Sequence, residues 1–237
     1  MKRRILGQHM LVDPVVLDMT LDCADISKDD IVLEIGTGDG FLTKELCGQA
    51  KVVVSYEVDK ELFEKARRTL GMHRNLILLL GDGLKSDHEF DVFVSNLPYS
   101  RSREAIEWLV GRDFDRAIVM VQKEFASKLL SGEGDNYRAI SVVAQYCFNI
   151  EHVMNVYKES FSPMPKVDSV LLKMTRKGKM DKNTMKALKR LFSFKGRKVK
   201  SVMKKLNVSM EIDGERRVES LNVKEAVRLA GAIAKSL

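Results

Sequence analysis

Apolar and polar positions fall in alternating blocks along this chain. Five short runs read as buried strands: IVLEI at 31–35, VVVSY at 52–56, LILLL at 76–80, DVFVSN at 91–96 and AIVMVQ at 117–122. Between them, stretches near 41–48, 60–70 and 102–110 repeat their apolar residues at helical spacing. Strands that are apolar throughout, separated by helices, predict a parallel α/β sheet covered on both faces. A helix is predicted near 14–24, with Asp13 as N-cap and Pro14 in its first position. After the fifth run come a helix at 123–130, the Gly-rich loop SGEGDNY, another helix, and two late strands, EHVMNVY and VDSVLLKMT. FSPMPK lies between those strands, and its two prolines predict an extended loop.

At Arg176-Lys177-Gly178-Lys179 the pattern changes. Only helical periods follow, at 182–194, 196–206 and 222–236, so a boundary is predicted near 178. Residues 1–178 form the sheet-containing domain and 179–237 a small all-helical one. Charge sharpens this division. Residues 179–237 hold 16 Lys and Arg against 6 Asp and Glu, a net of +10, whereas 1–178 hold 24 against 27, a net of −3. A basic appendage on a slightly acidic body suits an anionic partner such as nucleic acid. Solvated helix faces would carry the same charge, and both readings stay open at this point.

Composition narrows the class further. With 45% hydrophobic and 31% charged residues the chain predicts a packed core and not disorder. No apolar run approaches membrane-spanning length. The basic start, MKRRIL, is interrupted by Gly7, Gln8, His9 and Asp13 too soon for a signal-peptide core. Cys23, Cys47 and Cys147 are far apart, and neither CxxC nor HExxH occurs. That argues against a disulfide framework or a zinc site and for the cytoplasm. A monomer that contacts no membrane is expected.

Candidate chemistry sits at the strand ends. Glu34-Ile35-Gly36-Thr37-Gly38-Asp39-Gly40 joins the first strand to a helix, and its glycines let backbone approach a ligand closely. The GxGxG spacing is not the GxGxxG of dinucleotide folds, and no Gly-Lys-Ser/Thr follows to hold a triphosphate. Glu57, ending the second strand, stands where an acidic residue grips a ribose diol. Asp82, in Gly81-Asp82-Gly83 after the third strand, offers an acceptor for an adenine amino group. Each alone has a bland reading as a tight turn or a solvated cap. Three in succession at strand C-terminal ends point to a nucleoside-bearing cofactor.

The fourth strand stops on Asn96-Leu97-Pro98-Tyr99. An Asn side-chain oxygen and a backbone carbonyl ahead of a proline can both accept from one –NH₂ group. Proline fixes the turn and adds no N–H. The ring of Tyr99 can stack on a flat base. That set suits methyl transfer to a planar exocyclic nitrogen, whose lone pair is otherwise delocalised into its ring.

With these residues in place the chain resembles the small-subunit ribosomal RNA adenine dimethyltransferases, and also their relatives, the macrolide-resistance rRNA methyltransferases. The likeness runs from LGQHMLVD at 6–13 through VLEIGTGDGFLT, YEVD, GDGL, NLPY, VQKEFASKL and YRAISVVAQ to FSPMPKVDSVLL. NLPY and FSPMPKVDS together favour this family over other methyltransferases with an NPPY-type turn. The resemblance implies a Rossmann-like S-adenosylmethionine-dependent methyltransferase fold with a small all-helical C-terminal domain. It implies that Gly36, Gly38, Glu57 and Asp82 hold S-adenosylmethionine, that Gln8, His9 and Leu11 close over it, and that Asn96 stands where cofactor and adenine meet. Phe161 would then stack the flipped adenine opposite Tyr99. The implied activity is transfer of two methyl groups to adenine N6 in small-subunit rRNA, on the 30S ribosomal particle, with a part in subunit biogenesis. Methylation of large-subunit rRNA, and a non-catalytic ribosome-assembly or RNA-binding factor, are the alternatives.

Three departures from the family pattern bear on the site. Met10 stands where the family has Phe, and His9 replaces the commoner Asn. After NLPY the family continues Asn/Gln-Ile-Ser-Ser/Thr-Pro, whereas this chain reads Ser100-Arg101-Ser102-Arg103-Glu104. Two arginines there suit either phosphate contact or plain solvation.

Overall fold

The computed structural model describes residues 9–236. The chain forms two compact units. The first holds the described residues up to Trp108 with Arg112–Lys123 and Ile150–Arg176. The second holds Leu109–Gly111, Glu124–Asn149 and the chain from Lys177 on. The composition shift near 178 gives no sign that 124–149 groups with the C-terminal helices.

The first unit is built on a seven-stranded sheet. Its strands are β2 (Ile31–Ile35), β3 (Val52–Glu57), β4 (Leu76–Leu80), β5 (Val92–Asn96), β6 (Arg116–Gln122), β7 (Phe148–Val156) and β9 (Ser169–Arg176), in the order β4-β3-β2-β5-β6-β9-β7. β2 pairs in parallel with β3 and β5, β3 with β4, and β5 with β6; β9 runs antiparallel to β6. The central strands are apolar on both faces because both are covered: Val32, Val53, Val92, Phe93, Ile118 and Val119 are fully buried. β4 ends the sheet, and its Ile77 and Leu80 stay about half exposed. β7 begins at Phe148, three residues before the expected strand, because helical hydrogen bonding stops at Cys147 and the buried Phe148 passes straight into the sheet.

Helices α1 (Pro14–Ala24), α2 (Phe41–Gln49), α3 (Lys60–Leu70) and α4 (Ser102–Val110) connect and cover the strands. Local chemistry sets their starts. Asp13 accepts from the Val15 N–H with Pro14 at the first position, and Asp59 accepts from Glu61 and Leu62. A further strand pair lies apart from the sheet: β1 (Met10–Leu11) runs antiparallel to β8 (Phe161–Ser162). The sequence showed this stretch only as an extended loop, since two-residue strands leave no periodicity to read.

The second unit is helical: α5 (Lys123–Leu130) for the most part, α6 (Ala139–Cys147), α7 (Lys182–Phe192), α8 (Val199–Lys205) and α9 (Val223–Lys235). α7 packs against both α6 and α9. Tyr137 is fully buried there, edge-on to Phe192 at 5.4 Å. α8 starts three residues later than the expected 196, with Lys198 as its N-cap. Lys198 forms an antiparallel bridge with Arg217, and the Val199 and Lys200 N–H groups donate to the Arg216 and Gly214 carbonyls, which fixes the helix start there. Lys198 and Lys200 both pair with Glu215, the former at 2.7 Å. Those two partners hold the Glu215 carboxyl down at about 2. Cys23, Cys47 and Cys147 stand outside any disulfide, and among the described residues no helix is long and apolar enough to cross a membrane.

Candidate active site

Strand order reverses between β2 and β5, since β3 and β4 lie on one side and β6 on the other. Diverging loops at such a switch point leave a crevice at the strand C-terminal ends. The crevice is a pocket lined by the ends of four strands: Ile35, Gly36 and Gly38 after β2, Tyr56, Glu57 and Val58 at β3, Gly81, Asp82 and Leu84 after β4, and Asn96 to Arg101 after β5. His9 and Met10 close one side.

The Gly-rich loop is tied to β3 from both directions. Gly36 and Thr37 donate to the Tyr56 carbonyl at 2.8 and 3.2 Å, and Gly38 donates to Glu57 Oε2 at 2.9 Å. Gly38 has φ +61°, and a Cβ there would sit 2.7 Å from Met10 Sδ. The left-handed backbone favours glycine, and an added Cβ would also push the flexible Met10 side chain aside. Beneath the loop, Glu34 Oε2 accepts from Thr43 and Ser55 hydroxyls, each at 2.6 Å, and the Ser55 hydroxyl meets that of Thr37 at 2.6 Å. Burial lifts the Glu34 carboxyl to about 7 against these two hydrogen bonds.

Glu57 is buried, and each carboxylate oxygen takes one backbone donor: Oε2 from Gly38 and Oε1 from Asp59 at 2.9 Å. Each oxygen keeps a second acceptor direction. Burial raises the carboxyl above its ordinary range, with the backbone donors opposing. The group therefore fits a ligand presenting two hydroxyl donors.

Asp82 caps the one-turn helix Gly83–Lys85 by accepting from Leu84. It also accepts from Arg101 Nη2 at 3.1 Å on Oδ1 and 3.0 Å on Oδ2. Arg101 Nε lies 2.7 Å from Glu104 Oε2. Burial opposes charge on this guanidinium, yet the Asp82 and Glu104 carboxylates outweigh it and raise its pKa. Arg101 is thus paired with the part-buried Asp82 and with the exposed Glu104. Its neighbour Arg103 is exposed.

Asn96 ends β5 with its amide oriented. Nδ2 donates to the His9 carbonyl at 3.0 Å, which makes the other end of the amide, Oδ1, its acceptor, and Asn96 lines the pocket. Leu97 is buried, and Pro98 turns the chain into the one-turn helix Tyr99–Arg101. The Tyr99 hydroxyl meets that of Ser169 at 2.7 Å, and burial pushes its pKa up, so the ring remains a neutral phenol.

The ring lying against Tyr99 belongs to His9, stacked at 5.6 Å, with Nδ1 held 2.7 Å from the Pro163 carbonyl. Phe161, expected on that face, does not line the pocket. It is 3% exposed and packs in the core cluster with Val16, Leu17 and Leu171. Pairing with Leu11 fixes its direction, because alternate residues of a strand face opposite ways, and an apolar ring gains most by facing inward. Leu11 is likewise a core residue and not part of the lining. Gln8 lies outside the described residues. Tyr56, Leu84 and Ile35, which sequence reasoning passed over, line the pocket because each stands at or just past the end of a strand.

The sequence matches the ribosomal RNA adenine dimethylase family over residues 1–235. The chain belongs to this family. A relative named ribosomal RNA small subunit methyltransferase A, from Thermotoga neapolitana, is 35% identical over 233 residues, covering 96% of this chain and 90% of its own. A Pyrococcus abyssi protein named probable ribosomal RNA small subunit methyltransferase A is 40% identical over 174 residues, 73% of this chain and 64% of its own length. Among solved structures, a dimethyladenosine transferase from Plasmodium falciparum superposes with a TM-score of 0.85 at 28% identity, over 96% of this chain and 98% of that one. The fold of this dimethylase family member is therefore the Rossmann-like methyltransferase fold, with helices at its C-terminus.

Proposed function

We propose that this chain dimethylates adenine N6 in small-subunit ribosomal RNA, using S-adenosylmethionine. The observation that carries the reading is the oriented Asn96 amide. Its nitrogen is spent on His9, its oxygen is left to accept, and the same pocket holds Glu57 and Asp82. Family membership and the names of the relatives point the same way.

The residues present fit the cofactor. Glu57 offers two acceptor directions to a ribose diol, Asp82 one to a ring amino group, and Gly36 and Gly38 keep side chains out of the space between. When bound, S-adenosylmethionine supplies a methyl carbon made electrophilic by its sulfonium. Asn96 Oδ1 and the Leu97 carbonyl accept the two hydrogens of adenine N6. That favours a tetrahedral nitrogen with its lone pair directed along the line of attack. N6 would take that methyl carbon while the electron pair of the broken S–C bond stayed on sulfur, and the extra N6 proton would pass to solvent. Alignment and two fixed acceptors do most of this work. Pro98 adds no competing donor, and Tyr99 stacks the extruded base. Unstacking costs a few kcal/mol, and an aromatic partner returns roughly 1–3 kcal/mol per base. The first methyl leaves one N–H, so the second transfer uses one acceptor only.

The basic residues 179–237 are the proposed RNA-binding part, with the small-subunit particle as partner. Mass spectrometry of small-subunit rRNA from cells with and without the gene tests the reading. Dimethyladenosine must vanish without the gene and return with it; unchanged dimethyladenosine would overturn it.

A further inference from the structure

We propose that Arg101 is a positioning residue that makes the nucleoside end of the pocket select a ring amino group over a ring carbonyl. This rests on the cofactor reading above and adds a specificity determinant to it. Arg101 arrives from the loop after β5 and Asp82 from the loop after β4, so neither element alone orients the pair. One guanidinium nitrogen bridges both oxygens of Asp82, at 3.1 and 3.0 Å, while Nε is held 2.7 Å from Glu104. Leu84 N–H takes a further place on Oδ1 at 3.2 Å.

A carboxylate offers about four acceptor directions. Two are filled on Oδ1 and one on Oδ2, which leaves one, on the oxygen that only Arg101 holds. Without Arg101 the carboxylate would be fixed by Leu84 alone and could turn about that bond. With it, the pocket presents a single acceptor in a single direction. A donor such as a purine 6-amino group meets it, whereas a 6-oxo group would set oxygen against oxygen. Glu104, exposed on α4, adds an ion pair at the other edge of the guanidinium.

Calorimetry with S-adenosylhomocysteine and its 6-oxo counterpart, S-inosylhomocysteine, tests this on Arg101→Met, Asp82→Asn and the double variant, with melting curves as a folding control. Arg101→Met is expected to weaken S-adenosylhomocysteine about tenfold, the size of one oriented charge-assisted hydrogen bond. It should leave the 6-oxo ligand nearly unchanged, so that the preference collapses. The double variant should be no worse than Asp82→Asn, because Arg101 acts through that carboxylate. Arg101→Lys, which reaches one oxygen, should recover part of the preference. Equal losses for both ligands, additive penalties, or tighter binding by Arg101→Met would each overturn the proposal while Asp82→Asn still weakens binding. If Asp82→Asn leaves S-adenosylhomocysteine unaffected, the cofactor reading itself falls, and this proposal with it.

Discussion

Asn96 Nδ2 and the His9 carbonyl lie 3.0 Å apart, joining the end of a central strand to the segment that closes the pocket. One side-chain amide therefore serves two ends. Its nitrogen holds the segment beside the pocket, and its oxygen is the acceptor that the proposed function assigns to the adenine amino group.

Asn96→Ala removes both functions. Turnover is expected to fall at least tenfold, in keeping with loss of one preorganised hydrogen-bond group. Cofactor affinity should fall by a smaller factor, since only the tie to His9 is lost on that side. Single-turnover methylation of 30S particles, beside calorimetry of the cofactor, separates the two. A wild-type rate would show that the amide is not the acceptor.

Phe161→Ala should act through the core. Removing a buried ring of this kind costs roughly 3–5 kcal/mol, so melting temperature should drop well before any specific effect on RNA is seen. Phe161→Leu should be much milder. If Phe161→Ala instead leaves the melting temperature unchanged and slows methylation alone, the ring belongs to the base-binding face after all.

The Glu34 carboxyl gives the fold a pH dependence. Its folded pKa is about 7 against an ordinary 4.5, so between these values the folded state binds a proton that the unfolded chain does not. Stability from this group is present below about pH 4.5 and is lost as pH rises through about 7, on the order of 3 kcal/mol in all. Glu34→Gln cannot ionise and should flatten that decline. Urea titrations at pH 5 and pH 8 check it: the difference in unfolding free energy between the two should be smaller in the variant.

Replacing Arg197, Lys198 and Lys200 with Glu should weaken RNA binding by orders of magnitude and leave cofactor affinity intact, since every residue lining the pocket precedes Ser102. Loss of the Lys198 and Lys200 pairs with Glu215 calls for a second variant, with Gln at all three positions, to separate charge repulsion from lost contacts. The dependence of log K on log salt should shallow by nearly one per duplex phosphate released. Filter binding across a salt series measures it. An unchanged slope would take these three residues out of the RNA interface.

The central strands were legible because both their faces are buried, which writes them as unbroken apolar runs; β2 and β4 keep the expected bounds. Gly38, Glu57, Asp82 and Asn96 were legible for a related reason: each stands at a strand end, and a parallel sheet collects those ends in one place. What the sequence hid is contact between distant segments. Nothing marks Arg101 as the partner of Asp82, 19 residues earlier, because the two stand after different strands and no local pattern links them. His9 against Tyr99 is hidden likewise, and so is the β1–β8 pair that turns Phe161 inward. The late start of α8 follows from backbone pairing with residues 214–217, another distant contact that apolar periodicity does not register.

The β1–β8 pair also bears on how the two halves of the mouth move. Met10 and Leu11 face Ser162 and Phe161 in register, Val12 N–H donates to Ser160 at 2.9 Å, the Ser160 hydroxyl donates to Asp13 at 2.7 Å, and His9 meets Pro163. The segment beside the cofactor space and the proline loop are thereby laced into one panel. These ties couple the two segments, so that a displacement of either one carries the other with it.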